Sequence, residues 1–324
     1  MRGFRGSGGR TAVADRLHAR HALRLYNEIA RRGTPRRILG AMYEQFHGLS
    51  ERPFSITPDP RYLYLSTRHA EALAHLLYGV RENGGFTQLT GEVGTGKTML
   101  VRCLLERLPE RTDTAIVLDP PATRIEFLQT ICRELRMRTP RWAENPSSLG
   151  AALNRKLLRT YAAGRRTILI VDEAQALGAD LLEQVRRLTN LETARHKLLG
   201  IVLVGQPELH ETLARRDLRQ LAQRITARCH LGPLSRAETG EYLRHRLKVA
   251  GSSREVFNSR ARRRLYRISR GIPRIINVVA DRALLGAFVR REHEIGPQLV
   301  RLAAREIYGR QGAPAGALWS GATG

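Results

Sequence analysis

The chain has 324 residues and 42% apolar side chains, enough for a full α/β core and a smaller second domain, which excludes a peptide or a fragment-sized module. Its formal net charge of +25 draws attention to nucleic acid or an anionic membrane surface, but only Lys97, Lys156, Lys197 and Lys248 are lysine among 55 cationic residues, and the arginines are spread over the whole length. Nucleic acid is therefore carried as an open partner and not as a conclusion. No stretch approaches the roughly 18 consecutive apolar residues of a membrane span, and the widely spaced Cys103, Cys132 and Cys229 read as buried thiols of a reducing compartment, not a disulfide framework.

Residues 1–41 carry ten arginines against Asp15 and Glu28, with a Gly-rich start and no sustained apolar face. Arginine richness of this kind can mark a targeting peptide or a nucleic-acid arm. The preferred reading is a poorly packed extension, upstream of a second start at Met42. There the composition turns abruptly aromatic in "MYEQFHGLSERPFSITPDPRYLYLS", and residues 42–234 are expected to form one α/β domain. The spacing in "TRHAEALAHLLYGVREN" predicts an amphipathic helix, and "GFTQLT" a first strand.

The stretch that follows, "TGEVGTGKTML", fits G-x-x-x-x-G-K-[ST], with Gly91, Gly96, Lys97 and Thr98 in the fixed places. Residues Gly91, Glu92, Val93, Gly94, Thr95, Gly96, Lys97 and Thr98 are expected to cradle the phosphates of a nucleotide. Glycines let backbone N–H groups converge on an anion, and the next helix adds its positive end. Lys97 would reach the β- and γ-phosphates and the Thr98 hydroxyl would hold Mg²⁺, so ATP and Mg²⁺ are the expected ligands.

"DTAIVLDP" reads as a second strand, "TRIEFLQTICRELRM" and "SSLGAALNRKLLRTYAAG" as helices, and "TILIVDE" as a third strand. The apolar run of that third strand suits a central parallel strand buried on both faces. Asp172 and Glu173 fall where it would end, the edge at which open α/β sheets bind ligands. Asp172 can enter the shell of the metal and Glu173 can act as base toward water. An acidic pair can also simply cap a helix, but its coupling to the phosphate loop upstream favours hydrolysis. "ADLLEQVRRLTNL" reads as a helix, "KLLGIVLVGQ" as a fourth strand, "DLRQLAQRI" as a helix and "ARCHLGPL" as a fifth strand. Strand and helix alternate throughout, as in α/β folds. Beyond "PLSRAETGEY" no strand-like run recurs, so residues 235–310 are expected to be all helical, and 311–324 a flexible tail.

This combination of phosphate loop, Asp-Glu pair and helical lid resembles the AAA+ ATPases, whose fold is a P-loop doubly wound parallel sheet followed by a helical lid. The resemblance implies roles for three more residues: Gln206, in "GIVLVGQPEL", as sensor 1; Arg224, in "LRQLAQRITARCHLGPLS", as the arginine finger, with Arg219 and Arg228 as alternatives; and Arg274, in "GIPRIINVV", as sensor 2. Phe54, Tyr62 and Tyr64 either flank the adenine or pack in the core, and Arg262, Arg263 and Arg264 either meet DNA phosphates or form a solvated face. "PFSITPDPRYLYLS", "EALAHLLYGV", "TGEVGTGKT", "LTNLET", "GQPEL", "QRITAR" and "DRALLGA" together resemble the general secretion pathway protein A (ExeA-type) branch over roughly residues 42–310. That branch implies an ATP hydrolase assembling or remodelling a secretion or envelope partner, in a homo-oligomeric ring on the cytoplasmic side and associated with the inner membrane through a partner. Two rivals stay open: a DNA-binding ATPase of the transposition type, and a nucleotide switch with little turnover.

Overall fold

The computed structural model describes residues 43–57, 59–81, 85–137, 145–194 and 196–309. The expectations for residues 1–42 and for the tail from Gln311 lie outside them. The described residues divide into two compact units, one within Leu65–Pro233 and the other formed by 43–64 together with 234–309.

The first unit is built on five strands: β1 (Phe86–Gly91), β2 (Thr112–Val117), β3 (Arg166–Val171), β4 (Gly200–Gly205) and β5 (Ile225–Leu231). All pair in parallel, in the order β2-β3-β4-β1-β5. A parallel sheet needs cover on both faces, and the central strands meet that demand in sequence: every residue of β1 and β4 is buried, as are Thr167 to Val171 of β3. The cover comes from α1 (Thr67–Arg81), α2 (Lys97–Glu106), α3 (Arg124–Glu134), α4 (Pro146–Ala162), α5 (Ala179–Leu188) and the short α6 (Glu208–Leu213) and α7 (Arg219–Ala222). Phe127, Ile131 and Leu153 of α3 and α4 share one core with Leu169, Val171, Ile201 and Leu203 of the sheet. Local chemistry fixes where the helices start. Thr123 and Asn145 accept the N–H groups of Glu126 and Ser148, and Pro146 takes the first position of α4, where a missing N–H costs nothing.

Two elements differ from the sequence reading. β5 begins at Ile225, two residues before the run that announced it, because its outward residues Thr226, Arg228 and His230 interrupt the apolar pattern. α6 is too short, at six residues, to show a helical period.

The second unit packs α8 (Arg236–Val249), α9 (Ser259–Ser269), α10 (Pro273–Arg290) and α11 (Pro297–Tyr308). α8 opens with a reciprocal cap in which Ser235 and Glu238 each accept the other's backbone N–H. α10 is preceded by Gly271 at φ +81°, where an added Cβ would lie 1.9 Å from the Leu234 carbonyl oxygen.

Residues 43–64 require a correction, since they were expected with the α/β unit and instead build the helical core. Tyr43, Leu49, Phe54 and Tyr62 are buried among Leu243, Leu247, Leu265, Ile276 and Leu284. Polar contacts hold them there as well. Tyr43 donates to Asp281 Oδ1 at 2.6 Å, Tyr64 donates to Glu241 Oε2 at 2.5 Å, and the buried Arg246 donates to the carbonyls of Pro53 (2.5 Å) and Ser55 (3.2 Å). The Arg246 guanidinium also lies 4.7 Å from the Tyr62 ring centroid, inside cation–π range. Of the two readings of Phe54, Tyr62 and Tyr64, the structure gives core packing. Cys103, Cys132 and Cys229 are free and buried, and burial pushes the Cys132 and Cys229 thiols up to about 11.

Candidate functional site

Parallel register brings three strand ends together at one edge of the sheet. Thr90 of β1 pairs with Gly205 of β4, and Val171 of β3 with Leu203 of β4. The phosphate loop, the Asp-Glu pair and Gln206 therefore leave neighbouring strands at the same level.

The loop's shape depends on missing side chains. At Gly91 a Cβ would lie 2.5 Å from the Leu231 carbonyl oxygen and 2.9 Å from Thr95 Oγ1, so only glycine lets β1 end against β5. Gly94 (φ +84°) and Gly96 (φ +105°) take the left-handed conformations that turn the chain back on itself. Thr95 closes the turn, its hydroxyl donating to the Glu92 carbonyl at 2.9 Å. Val93 is exposed at the loop's tip, and Lys97 opens α2.

Lys97 is buried, and its Nζ donates to the carbonyl oxygens of Gly91 (2.7 Å) and Glu92 (3.1 Å). Burial pulls its pKa below the usual lysine range, while the charges of Glu173 and Asp172 pull it upward. The Thr98 hydroxyl donates to Asp172 Oδ2 at 3.2 Å, joining the loop to β3. Asp172 is buried as well, and burial raises its pKa against the lowering effect of the Glu173 N–H that it accepts at 2.9 Å. Glu173 is exposed and has left-handed backbone (φ +49°, ψ +35°), a conformation that costs a non-glycine residue about 1–3 kcal/mol.

Two contributors escaped the sequence reading. Gln175 donates from Nε2 to Glu173 Oε2 at 2.5 Å and accepts the Gln206 N–H on Oε1 at 3.0 Å. His69, buried on α1, has Nε2 3.2 Å from the Thr95 carbonyl oxygen and Nδ1 2.7 Å from the Ser66 hydroxyl. In a trans peptide the C=O and N–H point in opposite directions, so holding the Thr95 carbonyl on the α1 side aims the Gly96 N–H away from that helix. Each residue also has one main-chain partner 26 or 31 positions away, which no local motif announces.

The other expected site residues are placed as follows. Gln206 follows β4 directly and joins the cluster through its backbone N–H. Arg224 precedes β5, and because Ile225 pairs with Phe86 while Leu231 pairs with Gly91, it stands at the sheet edge opposite the loop. Its guanidinium donates to Thr189 Oγ1 at 2.6 Å. Arg219 and Arg228 are exposed, Arg228 donating to the Ala222 carbonyl. Arg274 is exposed in the first turn of α10, in the helical unit.

The residues fit a nucleotide with a hard cation. A buried ammonium whose two hydrogen bonds go to neutral carbonyls, in a loop of left-handed glycines, suits a polyphosphate. Among the described residues no cluster of three or more His, Cys, Asp and Glu could hold a metal alone. Thr98 and Asp172 supply two oxygens, the partial set expected where phosphate and water complete a magnesium shell.

Fold and site together define a class: an AAA+ P-loop domain. Residues 80–213 match the family model described as AAA domain. Cdc6p of Pyrobaculum aerophilum shares the fold at a TM-score of 0.62 and 20% identity, over 79% of this chain and 70% of that one. The ORC2 protein of Aeropyrum pernix, solved as ADPNP-ADP complexes, gives 0.59 and 21% identity over 79% and 71%. The particular likeness is to general secretion pathway protein A of Aeromonas hydrophila, 52% identical over 268 residues, which are 83% of this chain and 49% of that protein. The chain thus spans about half the length of the curated relative it matches.

Proposed function

We propose that this chain binds ATP with Mg²⁺ and hydrolyses it to drive assembly or remodelling of a secretion or envelope partner. The observation that carries the reading is the convergence of Lys97, Thr98, Asp172 and Glu173 at one sheet edge, with Thr98 and Asp172 in direct contact. Lys97 and the loop N–H groups would hold the β- and γ-phosphates, and Thr98 and Asp172 the metal. Bound Mg²⁺ would supply charge neutralisation on the phosphates. Glu173, exposed beside them, would take the proton from the attacking water. Gln206 would act as sensor 1 and Arg274 as sensor 2, with Arg224 reaching the site of a neighbouring subunit in a homo-oligomeric ring. The partner class is taken from the name of the 52% identical relative, general secretion pathway protein A; with it goes the proposal of a ring on the cytoplasmic side, associated with the inner membrane through that partner. No described helix is long and apolar enough to cross a membrane.

One variant tests both halves of the reading. Glu173→Gln keeps the shape and removes the base, so ATP binding should persist while turnover falls about a hundredfold or more. Placed in the chromosomal gene, it should stall assembly of the secretion complex. Normal turnover would remove Glu173 as the base; lost turnover with normal assembly would remove the secretion role.

A further inference from the structure

We propose that Gln175 is a positioning residue that holds the Glu173 carboxylate to the end of β4, an inference that rests on Glu173 as the base. Glu173 needs such a holder. Its left-handed backbone turns the side chain out at an exposed strand end, where a carboxylate on three rotatable bonds has several rotamers within reach. Gln175, two residues on in the turn Ala174–Ala176, removes that freedom by donating Nε2–H to Glu173 Oε2 at 2.5 Å.

The same amide is anchored at its other end, where Oε1 accepts the Gln206 N–H at 3.0 Å. Its orientation follows from chemistry. Only the amide oxygen can accept a main-chain N–H, and only the amide nitrogen can donate to a carboxylate. The turn beneath is fixed as well, with Ala174 fully buried and the Ala176 N–H bonded to the Glu173 carbonyl at 2.9 Å.

Gly205 is a separate observation that points the same way. A Cβ there would stand 2.8 Å from Gln175 Oε1 and 3.3 Å from Gln175 N, so the bare backbone of β4 is what admits the amide. The regular pairing of β3 with β4 stops at Val171 and Leu203. Beyond that point the Gln175 side chain makes a hydrogen-bonded connection from the turn that bears the base to the residue that follows β4. Displacement of a catalytic group by about 1 Å can cost on the order of a hundredfold in rate, so a tether of this kind is worth a measurable part of turnover.

The test uses the full chain, with kcat, the KM for ATP and equilibrium ATP affinity measured separately. Gln175→Ala should lower kcat about ten- to a hundredfold while KM and affinity stay within about twofold. Gln175→Glu is the sharper variant, because it keeps the length and the acceptor for the Gln206 N–H but turns an oxygen toward Glu173 in place of the donor. A strut that only braced β4 would tolerate that change, whereas a holder of Glu173 would not, so kcat should fall as far as in Gln175→Ala with the melting temperature unchanged. In a Glu173→Gln background, Gln175→Ala should cost nothing further, since the group it positions is already gone. Near-normal kcat in Gln175→Glu beside an inactive Glu173→Gln would overturn the positioning role alone. Full additivity in the double variant would overturn it too. Normal turnover in Glu173→Gln would remove the base, and the holder with it.

Discussion

Lys97 shows why a single side chain can decide what the loop is for. Its buried ammonium donates to two carbonyl oxygens, which take two of its three donors and are neutral. A triphosphate would supply an anion through charge-assisted hydrogen bonds, each worth about 1.5–3 kcal/mol. Lys97→Ala should therefore weaken ATP binding by about a hundredfold, read by equilibrium titration with a fluorescent ATP analogue. Unchanged affinity would remove the loop from the nucleotide site. At this scale the sequence speaks clearly about residues whose spacing is set by their own turn: Lys97, Thr98, Asp172 and Glu173 all stand where strand ends and motif put them. It is silent about His69 and Gln175, whose roles depend on carbonyl and N–H groups brought close only by the folded sheet.

At the scale of elements, legibility followed burial. β3 and β4 are visible because a continuous apolar run is what a doubly covered strand needs, and β5 was misjudged at its start because one of its faces carries Thr226, Arg228 and His230. The segment 43–64 shows the other limit. Tyr43, Phe54 and Tyr62 announce that they are buried, but irregularly spaced aromatics do not announce against what. At the connection into α10 the structure gives the reason for a glycine. Gly271 accepts the Leu234 N–H at 2.9 Å on its own carbonyl, while its α-carbon faces the Leu234 carbonyl closely enough to exclude any Cβ. Gly271→Ala should combine left-handed strain of about 1–3 kcal/mol with that collision. The expected outcome is a melting temperature lowered by about 5 °C or more, measured by circular dichroism. An unchanged melting curve would mean that the α8 and α10 entries can part without loss.

For the whole molecule, the position of Arg224 carries the clearest demand. It precedes β5 at the edge opposite the loop, a strand's length of about 20 Å from the phosphates it is proposed to serve. A finger at that distance can work only on a second copy. Arg224→Ala should accordingly keep ATP binding and lose about 10³ or more in turnover, the range of an arginine finger. Mixing it with Glu173→Gln subunits should restore part of the activity, because an intact Glu173 on one copy can meet an intact Arg224 on the next. A mixture that co-assembles and stays inactive, or normal hydrolysis by Arg224→Ala alone, would pass the role to Arg219 or Arg228. The division of the chain has a different kind of consequence, one of timing. Leu65–Pro233 is continuous and carries its whole hydrophobic core within itself, whereas Phe54 and Tyr62 belong to a core whose other half begins at Leu234. The bond from Arg246 to the Pro53 carbonyl spans 193 positions, and at synthesis rates of about 5–20 residues per second the earlier half waits some 10 to 40 seconds for its partner. During that interval Tyr43, Leu49, Phe54 and Tyr62 stand without the residues that later bury them, so the newborn chain offers these apolar groups to chaperones and to aggregation before the helical unit exists.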